Sequence, residues 1–183
     1  MSKSRGFAIA GMLAAVGSLA ACGPAGTGTI GVGVDAKGHP VGYLQVCPGA
    51  HMDGAFVIAE PHDDSTRAVA SWDAKPAATG STFWSFDRPT SGWVVTRRPA
   101  ELKPGVVYHL EAGANDGSGF SGYVLFTAED LKKMKPGQVR IYDSTRPQPA
   151  GEATGSLEQQ ARDENERFMK VVSRQEFDQS PCF

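Results

Sequence analysis

The stretch Leu102-Lys103-Pro104-Gly105-Val106-Val107-Tyr108-His109-Leu110 is the part of the sequence that decides the fold. Pro104-Gly105 is a turn dipeptide, and the apolar run that follows it is short enough for one β-strand. The same arrangement recurs along most of the chain, since nearly every apolar segment is short and lies between turn residues. This rhythm is typical of a sandwich or barrel and argues against alternating strands and helices.

The stretch 102–110 also resembles the Leu-x-Pro-Gly-x-x-Tyr segment of fibronectin type III and related immunoglobulin-like domains. In that family the tyrosine forms a tyrosine corner, in which its hydroxyl bonds to upstream backbone and locks a crossover between the sheets. The resemblance implies a mainly β, immunoglobulin-like antiparallel β-sandwich with Tyr108 in a structural role. It covers about a dozen residues and implies a fold class rather than a function.

The other predicted strands lie on both sides of this stretch. They are residues 30–34, 40–46, 55–59, 67–72, 81–86, 92–96, 120–127 and 138–142. A loop rich in Pro, Ala and Gly is predicted between Trp72 and the strand at 81–86. Within that strand, alternation places Trp84 and Phe86 on one face and Phe83 on the other.

Two helices are predicted in the C-terminal part of the chain. Thr127-Ala128-Glu129-Asp130 has the spacing of a capping box for one helical turn over residues 131–135. Ser156, with Gln159 three residues later, predicts the start of a longer helix over residues 156–177. Its apolar residues form one narrow stripe and its charged pairs have the favourable i,i+4 order, so we expect a mostly solvated helix.

The N-terminus has the order of a secretory signal. Lys3 and Arg5 form a positive start, and residues 7–20 form an apolar core of 14 residues. That core is shorter than the roughly 20 residues of a transmembrane helix, which disfavours a spanning helix as the alternative.

The stretch Leu19-Ala20-Ala21-Cys22 resembles the lipobox of bacterial lipoproteins. In that family the cysteine sulfur takes a diacylglycerol, the peptide is cut before the cysteine, and the new N-terminus is often acylated, for example with palmitate. The resemblance implies that residues 1–21 are a signal peptide and that Cys22 is the lipidated first mature residue. It also implies that the membrane partner is reached through this N-terminal lipid, on the extracytoplasmic face of the cell membrane.

The remaining chain divides into four parts. We expect a tether at residues 22–29, the β-sandwich domain at 30–142, a linker at 143–155, and a C-terminal helix and tail at 156–183. The 162 residues after the signal fit one domain of ordinary size. Their 16 basic and 20 acidic residues give a formal charge of −4, which argues against a nucleic-acid partner. The Gly/Ala-rich leader and the general pattern also resemble uncharacterised surface lipoproteins of actinomycetes.

The cysteines predict one disulfide bond. Lipidation of Cys22 leaves Cys47 and Cys182 in a compartment where disulfides persist, and we predict that these two pair. In the chain-entropy model a bridge across this separation removes on the order of 4–5 kcal/mol of unfolded-state entropy. The alternatives are two free thiols or a bond to another protein.

No set of residues has the spacing of a known metal site. His51 with Asp53, and His62 with Asp63 and Asp64, supply metal-binding side chains outside any recognised frame. We therefore predict that they lie in surface loops, and we predict no metal and no other cofactor.

Catalytic motifs are also missing from the sequence. Gly119-Phe120-Ser121-Gly122 lacks the fifth position of the Gly-x-Ser-x-Gly nucleophile motif, so Ser121 is predicted to begin a strand. Trp72, Trp84 and Trp93 suit either a sugar-stacking platform or the core, and we favour the core.

Two hypotheses about function follow. The first is a non-catalytic, lipid-anchored binding or scaffolding module, whose partner is an envelope protein or polymer. The second is a cell-envelope enzyme whose site residues come together only in the fold. All four histidines are assigned to a loop or a strand surface. A polar cleft with a strongly shifted His or Asp pKa would favour the enzyme, and an exposed apolar patch would favour the binder.

Overall fold

The structure, a computed structural model, describes residues 26–60, 68–147 and 155–180. Its elements are β1 (Gly28–Val34), β2 (Pro40–Val46), β3 (Met52–Glu60), β4 (Ala70–Ala78), β5 (Ser81–Ser85), β6 (Trp93–Arg97), β7 (Val107–Gly113), β8 (Phe120–Phe126), α1 (Ala128–Lys133), β9 (Gln138–Tyr142), α2 (Leu157–Phe168), β10 (Met169–Ser173) and α3 (Arg174–Asp178). The predicted signal peptide, residues 1–21, lies outside the described residues. No helix in the described part is long and apolar enough to cross a membrane.

Two antiparallel five-stranded sheets form the body of the molecule. Sheet 1 has the strand order β10-β9-β1-β2-β5, and sheet 2 has the order β6-β4-β3-β7-β8. Strands that follow each other in the chain pair as hairpins, namely β1 with β2, β3 with β4, and β7 with β8. The prediction of a mainly β, sandwich-like architecture with a C-terminal helix is confirmed.

The core between the sheets is built around aromatic side chains. Trp72, Trp84 and Trp93 are all buried, and the rings of Trp84 and Trp93 stack with their centroids 4.4 Å apart. Phe83 points away from the core and is 53% exposed, as the alternation of β5 predicts. The tryptophans are therefore core residues and form no exposed stacking platform.

Gly42 on β2 makes room for this cluster. A Cβ atom at position 42 would lie 2.3 Å from the ring of Trp84, which is closer than any carbon contact allows. The indole therefore lies flat against the backbone of sheet 1, and any side chain at position 42 would displace it.

Tyr108 is the second residue of β7 and is buried. Its hydroxyl accepts a hydrogen bond from the backbone N–H of Lys103, with 2.8 Å between the nitrogen and the oxygen. Gly105, at φ 72°, occupies the left-handed region in the turn between these two residues. The contact to upstream backbone is the one that the stretch 102–110 predicts.

The prediction of a loop directly after Trp72 is wrong, because β4 continues to Ala78. Asp73 and Ala74 pair with Val94 and Trp93 of β6, and Asp73 also pairs with Gly54 of β3. β4 lies between two strands, and these neighbours supply the backbone hydrogen bonds that outweigh the turn-forming composition of the segment.

The single helix predicted over residues 156–177 is also wrong in its second half. α2 ends at Phe168, and Met169–Ser173 forms β10, which pairs with β9 along its whole length. The valines at 171 and 172 suit a strand, and β9 offers them an unpaired edge. Ser173 then starts α3 with a capping box to Glu176.

The predicted helix starts agree better with the structure. Thr127 and Asp130 form the expected capping box, although α1 spans Ala128–Lys133 instead of 131–135. The Ser156 hydroxyl accepts a hydrogen bond from the N–H of Gln159 at the start of α2.

Asp143, the first residue of the predicted linker, is buried. Its Oδ1 atom accepts a hydrogen bond from Lys170 Nζ of β10 at 2.8 Å.

The C-terminal elements cover the outer faces of the two sheets. On sheet 1, Phe177 of α3 joins Val139 and Ile141 in a small second core. On sheet 2, α2 packs against β3, β7 and β8. The candidate functional site lies beneath α2.

Candidate functional site

The predicted lipid and disulfide residues lie mostly outside the described part of the chain. Cys22 and Cys182 are both in undescribed segments. Cys47 follows β2 directly and is disulfide-bonded. Its pairing with Cys182 stays a prediction, as does the lipidation of Cys22.

The suggested metal ligands come together only in part. His51 Nε2 lies 3.7 Å from Asp53 Oδ2 and 3.9 Å from Asp116 Oδ2. His51 and Asp116 lie in loops as predicted, but the prediction of a loop is wrong for Asp53, which belongs to β3. His62, Asp63 and Asp64 lie outside the described residues. Within residues 26–60, 68–147 and 155–180 there is no group of three or more side chains that could hold a metal ion.

The Ser121 hydroxyl forms hydrogen bonds with the backbone of sheet 2. Its hydroxyl donates to the carbonyl of Gly122 at 2.8 Å and accepts from the N–H of Ala112 at 2.9 Å. It bridges β7 and β8 close to the bulge between these strands. This is a structural role, and it leaves the hydroxyl poorly placed to act as a nucleophile.

A cavity of about 410 Å³ lies between α2 and the outer face of sheet 2. Its lining comprises Glu60, His109, Tyr123 and Leu125 from the sheet and Leu157, Gln160, Ala161 and Glu164 from α2. Strand alternation explains why the sheet residues line this cavity. Core-facing positions of β7 and β8 alternate with outward positions, and His109, Tyr123 and Leu125 are outward. The core-facing residues are Tyr108, Leu110, Val124 and Phe126.

A second cavity of about 290 Å³ adjoins the first and shares Glu60 and Ala161 with it. It extends along α2 towards Glu158 and the Pro104-Gly105 turn. We call the two cavities together the α2 groove. The groove is open to solvent along the first two turns of α2, where Leu157 is 64% exposed.

His109 lies between two carboxylates on the floor of the groove. Its Nδ1 atom is 3.2 Å from Glu60 Oε1, and its Nε2 atom is 2.9 Å from Glu111 Oε2. The second contact is an ion pair that lacks hydrogen-bond alignment. The imidazole side chain is only 16% exposed, and its ring lies 4.8 Å from the ring of Tyr123.

The charges around His109 fix its protonation. Burial lowers the pKa of His109, but the contacts with Glu111 and Glu60 outweigh this and raise the pKa to about 9. At neutral pH the ring is therefore an imidazolium, which can neither accept a proton nor bind a metal ion.

Tyr123 connects this floor to α2. Its hydroxyl donates a hydrogen bond to Glu164 Oε1 across the groove. Burial and the neighbouring Glu164 carboxylate raise the pKa of Tyr123 far above its ordinary value, so the phenol stays protonated.

The C-terminal half of α2 is held much more firmly than its N-terminal half. Arg140 of β9 donates to the carbonyl oxygen of Leu125 and to the backbone and side-chain oxygens of Asn165, all at 2.8–3.0 Å. Asn165 also bonds Asp130, and Phe168 is buried against Tyr142. The last turns of α2 are thus anchored by buried side chains, and its more exposed first turns line the groove.

Sequence reasoning placed His109 on a strand surface but did not identify the groove. The signal was present in the outward positions of neighbouring strands, which carry Glu60, His109, Glu111 and Tyr123 instead of the apolar residues of a buried face. What the sequence lacks is the register between strands and the position of α2, which together make the cluster.

Exposed large apolar side chains are scattered over several elements. They are Phe83 on β5, Val94 and Val95 on β6, Phe120 on β8, Leu157 on α2 and Val171 on β10. Of these, Leu157 lines the α2 groove, where apolar and charged groups meet.

No protein-family model matches the chain, and no curated protein or solved structure matches it.

Proposed function

We propose that this chain is a lipid-anchored protein of the extracytoplasmic face of the cell membrane, and that it is a non-catalytic binding module. Its ligand site in this proposal is the α2 groove. The carrying observation is an open groove in which the half-buried His109 is held as a cation by Glu60 and Glu111. Such a histidine organises charge in the groove without exchanging protons at neutral pH.

The anchor rests on the resemblance of Leu19-Ala20-Ala21-Cys22 to a lipobox behind a charged start and a short apolar core. Two acyl chains on Cys22 would be sufficient for stable attachment. Cys22→Ser should release the protein from membranes or leave it unprocessed. Normal processing with unchanged membrane attachment would contradict the anchor.

The pairing of Cys47 with Cys182 is supported by the position of α3. Ser81 of β5 stands opposite Gln45 of β2, and its hydroxyl donates to Asp178 of α3 at 2.8 Å. Cys47 follows Gln45 by two positions, and Cys182 follows Asp178 by four, a reach of roughly 13 Å for extended chain. The end of α3 is therefore close enough for the tail to meet Cys47.

We further infer that the sandwich is an immunoglobulin-type variant. The order β4-β3-β7-β8 corresponds to strands C′-C-F-G of that fold, and β1-β2-β5 corresponds to A-B-E. Tyr108 lies at the start of the strand that corresponds to F, as a tyrosine corner requires. The departures are β6 at the edge beside β4, and β9 and β10 added beside β1.

Site-specific photo-crosslinking in intact cells tests the binding proposal. A photoreactive residue at Leu157 on the groove should capture the ligand, and one at Val171, which is also exposed but lies on β10, should not. Ala161→Trp, which fills both cavities from the α2 side, should abolish the adduct at position 157. Equal capture at both positions, or none at 157, would contradict the α2 groove as the site.

The enzyme remains the second candidate because His109 has a strongly shifted pKa within a polar cavity. The direction of the shift argues against it, since a general base needs a pKa near the working pH. Turnover of an envelope ester, glycan or peptide that His109→Gln abolishes, with the fold intact, would favour the enzyme.

A further inference from the structure

We propose that the α2 groove binds an ammonium or guanidinium group carried on an aliphatic chain, as the lysine or arginine side chain of a partner protein presents it. This inference rests on the proposed function, because it names the chemistry that the same groove recognises. Three features of the groove carry it: its net charge, its apolar walls, and one carboxylate with accepting capacity to spare.

The described charged groups in and beside the groove have a negative balance. Glu60, Glu158 and Glu164 line the groove, and Glu111 lies against His109. The cations are the His109 imidazolium and Arg162, which pairs with Glu158. The described carboxylates thus outnumber the described cations in a space that is partly shielded from water. An anionic ligand would be repelled there, and a cation would be attracted more strongly than at an open surface.

The walls of the groove select a chain rather than a bare ion. Leu125 lies on the sheet side, and Leu157 and Ala161 lie on the helix side. The described residues provide no group of three ligands for a metal ion. Methylene groups would be stabilised by burial against these side chains, and a hydrated metal ion would not.

Glu164 is the group that would receive the cation. Its Oε1 atom accepts the hydrogen bond from Tyr123, and no described residue donates to its Oε2 atom. The carboxylate is half-buried, lines the larger cavity and contacts the Tyr123 hydroxyl. An ammonium group there would gain a charge-assisted hydrogen bond.

The entrance agrees with a side chain that arrives from a partner surface. The exposed Leu157 marks the open rim, and Glu164 lies two helical turns further along the same face of α2. A long side chain could pass Leu157 with its apolar stem and place its charged end at Glu164.

The test uses the full chain purified in detergent and two capped amino acids that differ in charge. Nα-acetyl-lysine amide should shift the NMR signals of His109 and Ala161 with a millimolar dissociation constant, the scale for one side chain. Nα-acetyl-norleucine amide, which lacks the ammonium group, should bind at least about tenfold more weakly. Binding of the lysine probe should weaken in high salt.

Matched variants locate the effect. Glu164→Gln keeps the shape and the acceptor for Tyr123 and should weaken the lysine probe about tenfold. Glu166→Gln removes an exposed carboxylate from the same helix and should leave binding unchanged. Gln160→Lys, which places a positive charge in the groove, should block the probe, and it keeps the proposal testable if Glu164→Gln is poorly folded.

Equal binding of the two probes, no shift of groove signals with the lysine probe, or the same loss from Glu164→Gln and Glu166→Gln would each overturn the cation proposal. A specific adduct at position 157 alongside any of these results would leave the binding function standing and reject only the ligand class. Loss of that adduct with retained lysine binding would instead reject the binding function at the envelope.

Discussion

The outer faces of the two sheets are covered by neighbouring pieces of the C-terminal chain, with opposite results. On sheet 1, α3 inserts Phe177, which is 0% exposed, against Val139 and Ile141 and closes the face over β9. On sheet 2, the longer helix α2 lies over Glu60, His109 and Tyr123 and leaves an open groove.

The difference comes from what each sheet presents. At Gly31, a Cβ atom would lie 2.4 Å from Val139, so this bare backbone position on sheet 1 allows β9 and its apolar side chains to pack closely. Sheet 2 presents long charged side chains, which must keep hydrogen-bond or ion-pair partners when they are covered. A helix can pack directly against the apolar outer face of sheet 1. Over the charged outer face of sheet 2, a helix leaves a groove. This chemistry distinguishes the face that α3 covers from the face that carries the proposed binding site.

The largest expected effect is a difference in stability between two truncations, one in α3 and one in α2. Phe177→Ala should destabilise the domain by about 3–5 kcal/mol, because it empties a fully buried site. Leu157→Ala on α2 should change the free energy of unfolding by less than about 0.5 kcal/mol, since that side chain is 64% exposed. Urea unfolding measures both, and similar losses would erase the distinction.

The predicted disulfide between Cys47 and Cys182 should stabilise the packing of α3 on sheet 1 and leave α2 unaffected. Cys182→Ser should cost about 2–5 kcal/mol and release α3 before the sheets melt, because the five-residue helix contributes only Phe177 to its small core. Limited proteolysis near residue 178 would detect the release. Thiol labelling of the denatured, unreduced chain is the control, and recovery of both Cys47 and Cys182 as free thiols would contradict the pairing.

Much of this architecture follows from local sequence signals. The strand around Tyr108, the outward Phe83 and the capping box at Thr127 are all local patterns, in which residues within six positions decide the outcome. β10 could not be predicted in this way. The segment 169–173 continues the helical stripe of α2, and only pairing with β9, about 30 residues upstream in the chain, makes it a strand.

The α2 groove was less predictable still. Glu60, His109, Glu111 and Glu164 are separated by up to about a hundred positions, and none belongs to a known motif. Two strand registers and the docking of α2 bring them together, and tertiary packing sets each of these. The pairing of Cys47 and the role of Cys22, by contrast, were predicted from residue type and compartment, which need no fold.

The next effect is a pH dependence of the free energy of unfolding, which we expect from His109 under α2. Because the pKa of His109 is raised from 6.5 to about 9, its stabilising contribution is fully present below pH 6.5 and is lost as the pH rises through 9. The wild-type free energy of unfolding should therefore fall by up to about 3 kcal/mol across this window relative to His109→Gln. His51→Gln, in an exposed loop, is the control and should retain the wild-type profile. Parallel profiles for wild type and His109→Gln would show that the ion pairs do not stabilise the fold.

The smallest effect compares two tyrosine hydroxyls on sheet 2, one facing the core and one facing the groove. Tyr108→Phe should cost roughly 1–3 kcal/mol, because it removes the hydrogen bond that ties the buried Tyr108 side chain to the backbone N–H of Lys103. Tyr123→Phe removes a donor from Glu164, whose carboxylate lines an open groove and can bond to water instead, so we expect a loss below about 1 kcal/mol. Thermal and urea unfolding of both variants measure the difference. A loss of only a few tenths of a kcal/mol at Tyr108 would mean that the corner does not hold the turn at 103–107, and a larger loss at Tyr123 than at Tyr108 would mean that α2 closes its face as tightly as α3 closes the other.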